Sequence, residues 1–308
     1  MRFDIDDYKQ RTGRLDLDGI DFKVFTADPL QPDALRCLRY MHDVEYHTVC
    51  YLRELLLTSA HDDPDVTAFL SFWAFEELWH GEAIAAVLRA HNEVAGETRV
   101  ARLRQGMSRR ERLKPLTHLA LSALAGADYT AVHMTWGAVN ELCTQAAYGR
   151  LISLTDHRAL RELLTRIMRQ EGRHVDFYAS EAARRLAASA KARRLTRTAL
   201  TRLWRPVGAG VMPVAETRFI SGYLFGGADG LAVARRIDRH VQRLPGLAGL
   251  SIVEDAATAT EVAATTVPAG AARWRNVAAP GRDGQRTGSR SRATKASSSA
   301  SGSGRAKW

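Results

Sequence analysis

The stretches FEELWHG, residues 75–81, and QEGRHVDFY, residues 170–178, each set a glutamate three positions ahead of a histidine: Glu77 before His80, and Glu171 before His174. Residues i and i+3 share a helix face, so each pair aims one carboxylate and one imidazole in the same direction. One such pair arises easily by chance, and its ordinary reading is a locally hydrogen-bonded couple. Two copies, each in the middle of a long predicted helix, call for a geometric check.

The flanking sequence reads as helix after helix with hardly any β-pattern. Leu35, Leu38, Met41, Glu45, Thr48 and Leu52 recur at helical spacing in a segment opened by Pro32 and Asp33 that runs to about residue 58. After the turn HDDPD (61–65), a second helix is predicted to about residue 91, and VAGETRVARLRQG (94–106) reads as an irregular basic connection. Further helices are predicted over about 109–124, 129–153, 157–189, 192–204 and 231–243, with Thr155 and Asp156 supplying a turn and N-cap. RPVGAGVMP (205–213) and FGGADG (225–230) interrupt the last of these, because their prolines and glycines cannot continue a helix. The expected fold is all-α.

Two more glutamates complete the pattern. Glu45 precedes Glu77 by 32 residues, and the midpoint, residue 61, falls in the first predicted turn. Glu141 precedes Glu171 by 30, and the midpoint, Asp156, falls in the second. Two antiparallel hairpins therefore bring each pair to one height, roughly 24 Å from its turn at 1.5 Å per residue. An ionised carboxylate in an apolar interior is costly unless it is paired or binds a metal. Four of them meeting with two imidazoles form the hard-oxygen and imidazole mixture that suits iron or manganese more than zinc. Glu45, Glu77, His80, Glu141, Glu171 and His174 are thus the expected ligands of a dimetal centre, weighed against buried Glu–Arg or Glu–His pairs.

These motifs resemble the ferritin-like di-iron superfamily, and within it the soluble acyl-carrier-protein desaturases, over roughly residues 30–240. FEELWHG is similar to that family's E-E-x-x-H-G, and QEGRHVDFY to its D-E-x-R-H-x-x-x-Y. The resemblance implies a ferritin-like four-helix bundle with additional helices and two iron ions, with manganese an option at one site. Glu77 and Glu171 would bridge the metals. It also places Thr144, three residues after Glu141, where the family has a threonine on the oxygen-binding side. The implied activity is O2-dependent desaturation or hydroxylation of a carrier-bound acyl chain. An acyl carrier protein or small-molecule substrate, an electron donor such as ferredoxin, and a homodimer go with it. Gln170 departs from the pattern, standing where the family has an aspartate that orients the opposite ligand histidine, and a glutamine oxygen accepts that N–H more weakly. The 64 residues from Glu77 to Glu141 also differ from the family's spacing. They leave room for a di-iron oxygenase acting on another biosynthetic intermediate, or for a ferroxidase or iron-binding protein.

Smaller signals weigh less. Ala74, Gly81, Ala85 and Gly137 leave room for a narrow chain or for close helix packing. His42 reads as a core or supporting histidine, and Trp73, Trp79 and Trp136 as core aromatics. Ile84 stands one turn after His80 where a tyrosine would be needed by a radical-generating reductase subunit. Arg109, Arg110, Arg112 and Lys114, then Lys191, Arg193 and Arg194, then Arg235, Arg236 and Arg239, fit either an acidic partner or a solvated face.

The net charge of +10 is no nucleic-acid signal once it is divided along the chain. Residues 256–308 hold 9 Lys+Arg against 2 Asp+Glu, leaving 35 against 32 for residues 1–255. That Ala-, Ser-, Gly- and Arg-rich end is expected to be a disordered tail, following a helical domain over 30–245 and an N-terminal extension over 1–29. Cys37, Cys50 and Cys143 show no disulfide or metal spacing and read as free thiols. With no signal peptide and no long apolar run, the expectation is a cytoplasmic protein without a membrane span.

Overall fold

Two prolines open the first long hairpin, since a proline at the first helical position lacks only an N–H that would go unpaired there. Pro32 starts a helix that ends at Leu56, and Pro64 starts one that ends at Ala90. Asp63 caps the second, accepting the backbone N–H groups of Asp65 and Val66 at 3.1 and 3.3 Å.

A computed structural model describes residues 3–107 and 109–266. The helices are α1 (Ile5–Arg11), α2 (Val24–Ala27), α3 (Pro32–Leu56), α4 (Pro64–Ala90), α5 (Glu97–Gln105), α6 (Arg109–Ala125), α7 (Ala127–Leu154), α8 (Arg158–Ala188), α9 (Ala190–Leu203), α10 (Val214–Phe225), α11 (Gly227–Gln242) and α12 (Ile252–Thr266). Among the described residues there is no β-strand, and the fold is an all-α helical bundle. No described helix is long and apolar enough to cross a membrane. Helices α3 and α4 pack as one antiparallel hairpin, α7 and α8 as another, and α4 lies on α8.

The structure departs from these expectations in several places. The stretch 94–106 contains α5, which buries only Val100, so no apolar periodicity announces it. It is held instead by Arg99, bidentate on Asp43 at 2.6 and 2.7 Å, and by Arg104 donating to the Tyr46 carbonyl. Residues 214–225, between the two predicted breaks and without a predicted helix, form α10. Helix α12 covers 252–266, so the expected tail does not begin at Ala256; Ala257 is buried, and the remainder of that tail lies outside the described residues. Asp238 of α11 caps α12 from another helix, accepting from Val253 and Glu254 at 3.1 and 2.9 Å. Within the N-terminal extension, residues 3–29 pack onto the helices, with Tyr8, Leu15 and Phe25 buried in the core. The cap of α8 is His157 in place of Asp156, its ring accepting from Leu160 N–H at 3.2 Å.

The small residues are close-packing devices. A Cβ on Gly81 would stand 2.7 Å from the Tyr46 ring, and one on Gly137 would stand 2.3 Å from the Tyr178 ring. Gly137→Ala should therefore lower the melting temperature. Overpacking against a fully buried ring costs about 1–3 kcal/mol, more than the gain of up to about 1 kcal/mol in helix propensity. Gly149→Ala on the same helix, with its Cβ 3.5 Å from the Met168 methyl, should hold or raise it. Thermal denaturation of the pair checks this.

Candidate metal centre

All six expected ligands converge at the middle of the two hairpins. Helix α3 supplies Glu45, α4 supplies Glu77 and His80, α7 supplies Glu141, and α8 supplies Glu171 and His174; every one is buried. Their donor atoms form two groups, Glu45, Glu77, His80 and Glu171, then Glu77, Glu141, Glu171 and His174. Within each group the donors lie within 4.8 Å of one another, and Glu77 and Glu171 belong to both.

Both histidines turn Nδ1 inward. His80 Nδ1 lies 3.2 Å from Glu171 Oε1 and 3.9 Å from Glu45 Oε2. His174 Nδ1 lies 3.1 Å from Glu77, 3.2 Å from Glu171 and 3.8 Å from Glu141. These distances do not bring full pairing. Glu45 Oε2, Glu77 Oε1, Glu171 Oε1 and His80 Nδ1 are buried without a hydrogen-bond partner, and all four belong to residues of the two groups. Unpaired lone pairs aimed at one point are what a cation needs, so the residues fit a metal.

The acids resist ionisation together. Burial, then the charge of Glu171, pushes the Glu77 carboxyl up to about 7. Burial, partly offset by the His174 hydrogen bond, pushes Glu141 up to about 8. Burial and the neighbouring Glu77 hold Glu45 well above the usual carboxylate range. Glu171 goes the other way: its burial is outweighed by His174 and His80, each 3.2 Å from its carboxylate, and it stays ionised. For His174, burial opposes the charge, yet contacts with Glu141, Glu171, Glu76 and Glu77 raise it well above an ordinary imidazole. His80 is raised likewise by Glu171 and Glu45 against its burial. Two divalent ions would balance four carboxylates and let both imidazoles be neutral.

A surrounding layer aims these groups. Tyr148 donates to Glu45, and Trp73 Nε1 donates to Glu141 at 3.1 Å. The outer nitrogen of each histidine meets the residue just ahead of the other motif's glutamate. Gln170 Oε1 is 2.9 Å from His80 Nε2, and Glu76 Oε2 is 2.8 Å from His174 Nε2. Glu76 and Tyr148 were not singled out from sequence. The signal for Glu76 was its position before Glu77, which mirrors Gln170 before Glu171. His42 is a core residue, its Nε2 accepting from Gly96 N–H at 2.9 Å.

Thr144 lies outside both groups, on the wall of a pocket that also reaches Glu45. The pocket, with a cavity volume of about 70 Å³, lies between α3, α7, α10, α12 and the chain at 204–207. Val44, Ile220, Leu224, Phe225 and Val253 line it, and among its described wall residues Glu45 is the single charged side chain.

Comparison of the chain with protein-family models, with curated proteins and with solved structures finds no match.

Metal-free protein should lose stability as pH rises from about 5 through about 8. Glu45, Glu77, Glu141, His80 and His174 bind protons more tightly folded than unfolded, so their stabilisation is complete at low pH and fades as pH passes through the folded-state values. Glu171, with the opposite shift, has its stabilisation in place above the ordinary carboxylate range and adds no slope in this window. Melting curves in chelator should show the decline, and added divalent metal should reverse it with release of protons.

Proposed function

We propose that this chain is an O2-dependent oxidoreductase built on a carboxylate-bridged dimetal centre, preferably di-iron, acting on an elongated apolar substrate such as a carrier-bound acyl chain. The observation that carries the reading is the pair of buried donor groups sharing Glu77 and Glu171, with unpaired oxygen and nitrogen atoms facing inward. Glu45, Glu77, Glu171 and His80 would hold one ion, and Glu77, Glu141, Glu171 and His174 the other. Two reduced ions there would supply the electrons and Lewis acidity to turn dioxygen against an unactivated C–H bond.

The protein's own part is positioning and exclusion of water. Tyr148 and Trp73 hold the outer carboxylates Glu45 and Glu141 by hydrogen bonds, leaving their remaining oxygens for the centre. Glu45 and Thr144 both line the apolar pocket, so a hydrocarbon segment held in it would lie next to the centre. Apart from Glu45, its wall offers an organic substrate apolar contact and no charge, which favours an oxygenase or desaturase over iron storage. Desaturation and hydroxylation both fit, as does a non-acyl biosynthetic intermediate of similar shape.

Anaerobic reconstitution with ferrous iron, followed by O2 uptake with and without acyl-carrier-protein thioesters, tests this reading. Two irons per chain, lost in Glu141→Ala, with acyl-dependent O2 uptake and loss of two hydrogens from the acyl chain, are expected. Iron oxidised without acyl dependence would redirect the reading to other substrates or to ferroxidase activity, and absence of bound metal would overturn it. Ser221→Trp, which fills the pocket from α10, should keep both irons and abolish the substrate dependence of O2 uptake.

A further inference from the structure

The outer ends of both histidines meet at one residue of the N-terminal segment. The side-chain nitrogen of Gln170 donates to the Gly13 carbonyl at 3.2 Å, while its oxygen faces His80 Nε2. On the other side the Gly13 N–H donates to Glu76 Oε1 at 3.4 Å, and Glu76 faces His174 Nε2. Glu76 also accepts from the Tyr8 hydroxyl at 2.9 Å and from Arg173 at 2.7 Å. The segment is pinned to α8 beyond these contacts. Arg173 donates to the Arg11 carbonyl at 3.0 Å and Arg166 to the Asp16 carbonyl at 2.9 Å.

Hydrogen-bond polarity now fixes what each group must be. A peptide carbonyl only accepts, so Gln170 must turn its NH2 to Gly13 and its oxygen to His80. That oxygen also only accepts, so His80 Nε2 must carry a proton. In the neutral ring Nδ1 is then a bare lone pair facing Glu171 and Glu45. Glu76, surrounded by the donors Tyr8, Arg173 and Gly13, is an acceptor-only carboxylate, so His174 Nε2 must carry a proton as well. Its Nδ1 is left for Glu77, Glu141 and Glu171.

We propose that Tyr8 and Gly13 form an N-terminal strap whose hydrogen bonds, relayed by Glu76 and Gln170, lock both histidines with Nε2 protonated and Nδ1 directed at the carboxylate cluster. These four are positioning residues. The strap also accounts for glutamine at 170, since a carboxylate would accept from His80 but could not donate to Gly13 and would face its carbonyl oxygen. The metal-binding part of the proposal rests on the dimetal reading; the hydrogen-bond part does not.

Three full-length proteins test it: wild type, Gln170→Glu and Tyr8→Phe. The second keeps a stronger acceptor on His80 while removing the donor to Gly13, and the third removes one hydroxyl while keeping the ring that packs 5.3 Å from Phe69. Hydrogen exchange in the metal-free proteins reads the strap directly. Faster exchange at the amides of residues 9–16 and at the histidine Nε2 protons is expected in both variants. Calorimetric titration with cobalt(II) should show affinity about 10–100-fold weaker, the range for lost supporting contacts around a metal. If glutamine mattered only as an acceptor, Gln170→Glu would bind cobalt(II) as tightly as wild type or more so. That result, or unchanged exchange in both variants, would overturn the strap. Wild type that takes up no cobalt(II) would overturn the dimetal reading, and exchange alone would then decide the strap.

Discussion

The cost of taking four carboxylates out of water organises this molecule. Glu45, Glu77, Glu141 and Glu171 sit at the centre of a helical bundle where burial raises three of them far from their ordinary titration range. Only Glu171 remains comfortably charged, because both imidazoles lean on it. The arrangement is poorly balanced as a set of amino acids and would be balanced by two dications, one for each group of four residues.

Everything around the cluster serves to keep those side chains at one height and one angle. The hairpins α3–α4 and α7–α8 set the height through their turns. Gly81 and Gly137 set the distance, letting the Tyr46 and Tyr178 rings lie against helix backbone. Angles come from the hydrogen-bonding layer: Tyr148 on Glu45, Trp73 on Glu141, Gln170 on His80 and Glu76 on His174. A centre supported in this way loses little freedom when a ligand arrives, which is what preorganisation requires.

The pocket gives the centre its direction. Glu45 and Thr144 stand on its wall, which is completed by α10 and α12, helices outside the two hairpins. The four long helices thus carry the charge, and the added helices shape what can approach it. The N-terminal segment, packed through Tyr8 and Gly13 over the opposite ends of the histidines, joins the two halves that the hairpins build separately.

The sequence by itself determined the helical hairpins and the convergence of six acidic and histidine side chains, because both follow from local periodicity. A 3.6-residue repeat places Glu77 with His80 and Glu171 with His174 on one face, and equal distances from a turn align Glu45 with Glu77 and Glu141 with Glu171. The tertiary structure alone decided what depends on contacts between distant segments. Helix α5 forms because Arg99 and Arg104 reach α3, and α12 because Asp238 caps it from α11, neither of which leaves a periodic trace. Gly137 and Gly81 are indistinguishable in sequence from channel-forming residues until a tyrosine ring is found against each. Tyr8 and Gly13 lie more than 60 residues before Glu76 and more than 150 before Gln170, and only the folded chain brings them together. Such long-range hydrogen bonds are fixed by three-dimensional approach and polarity, and no repeat in the chain encodes them.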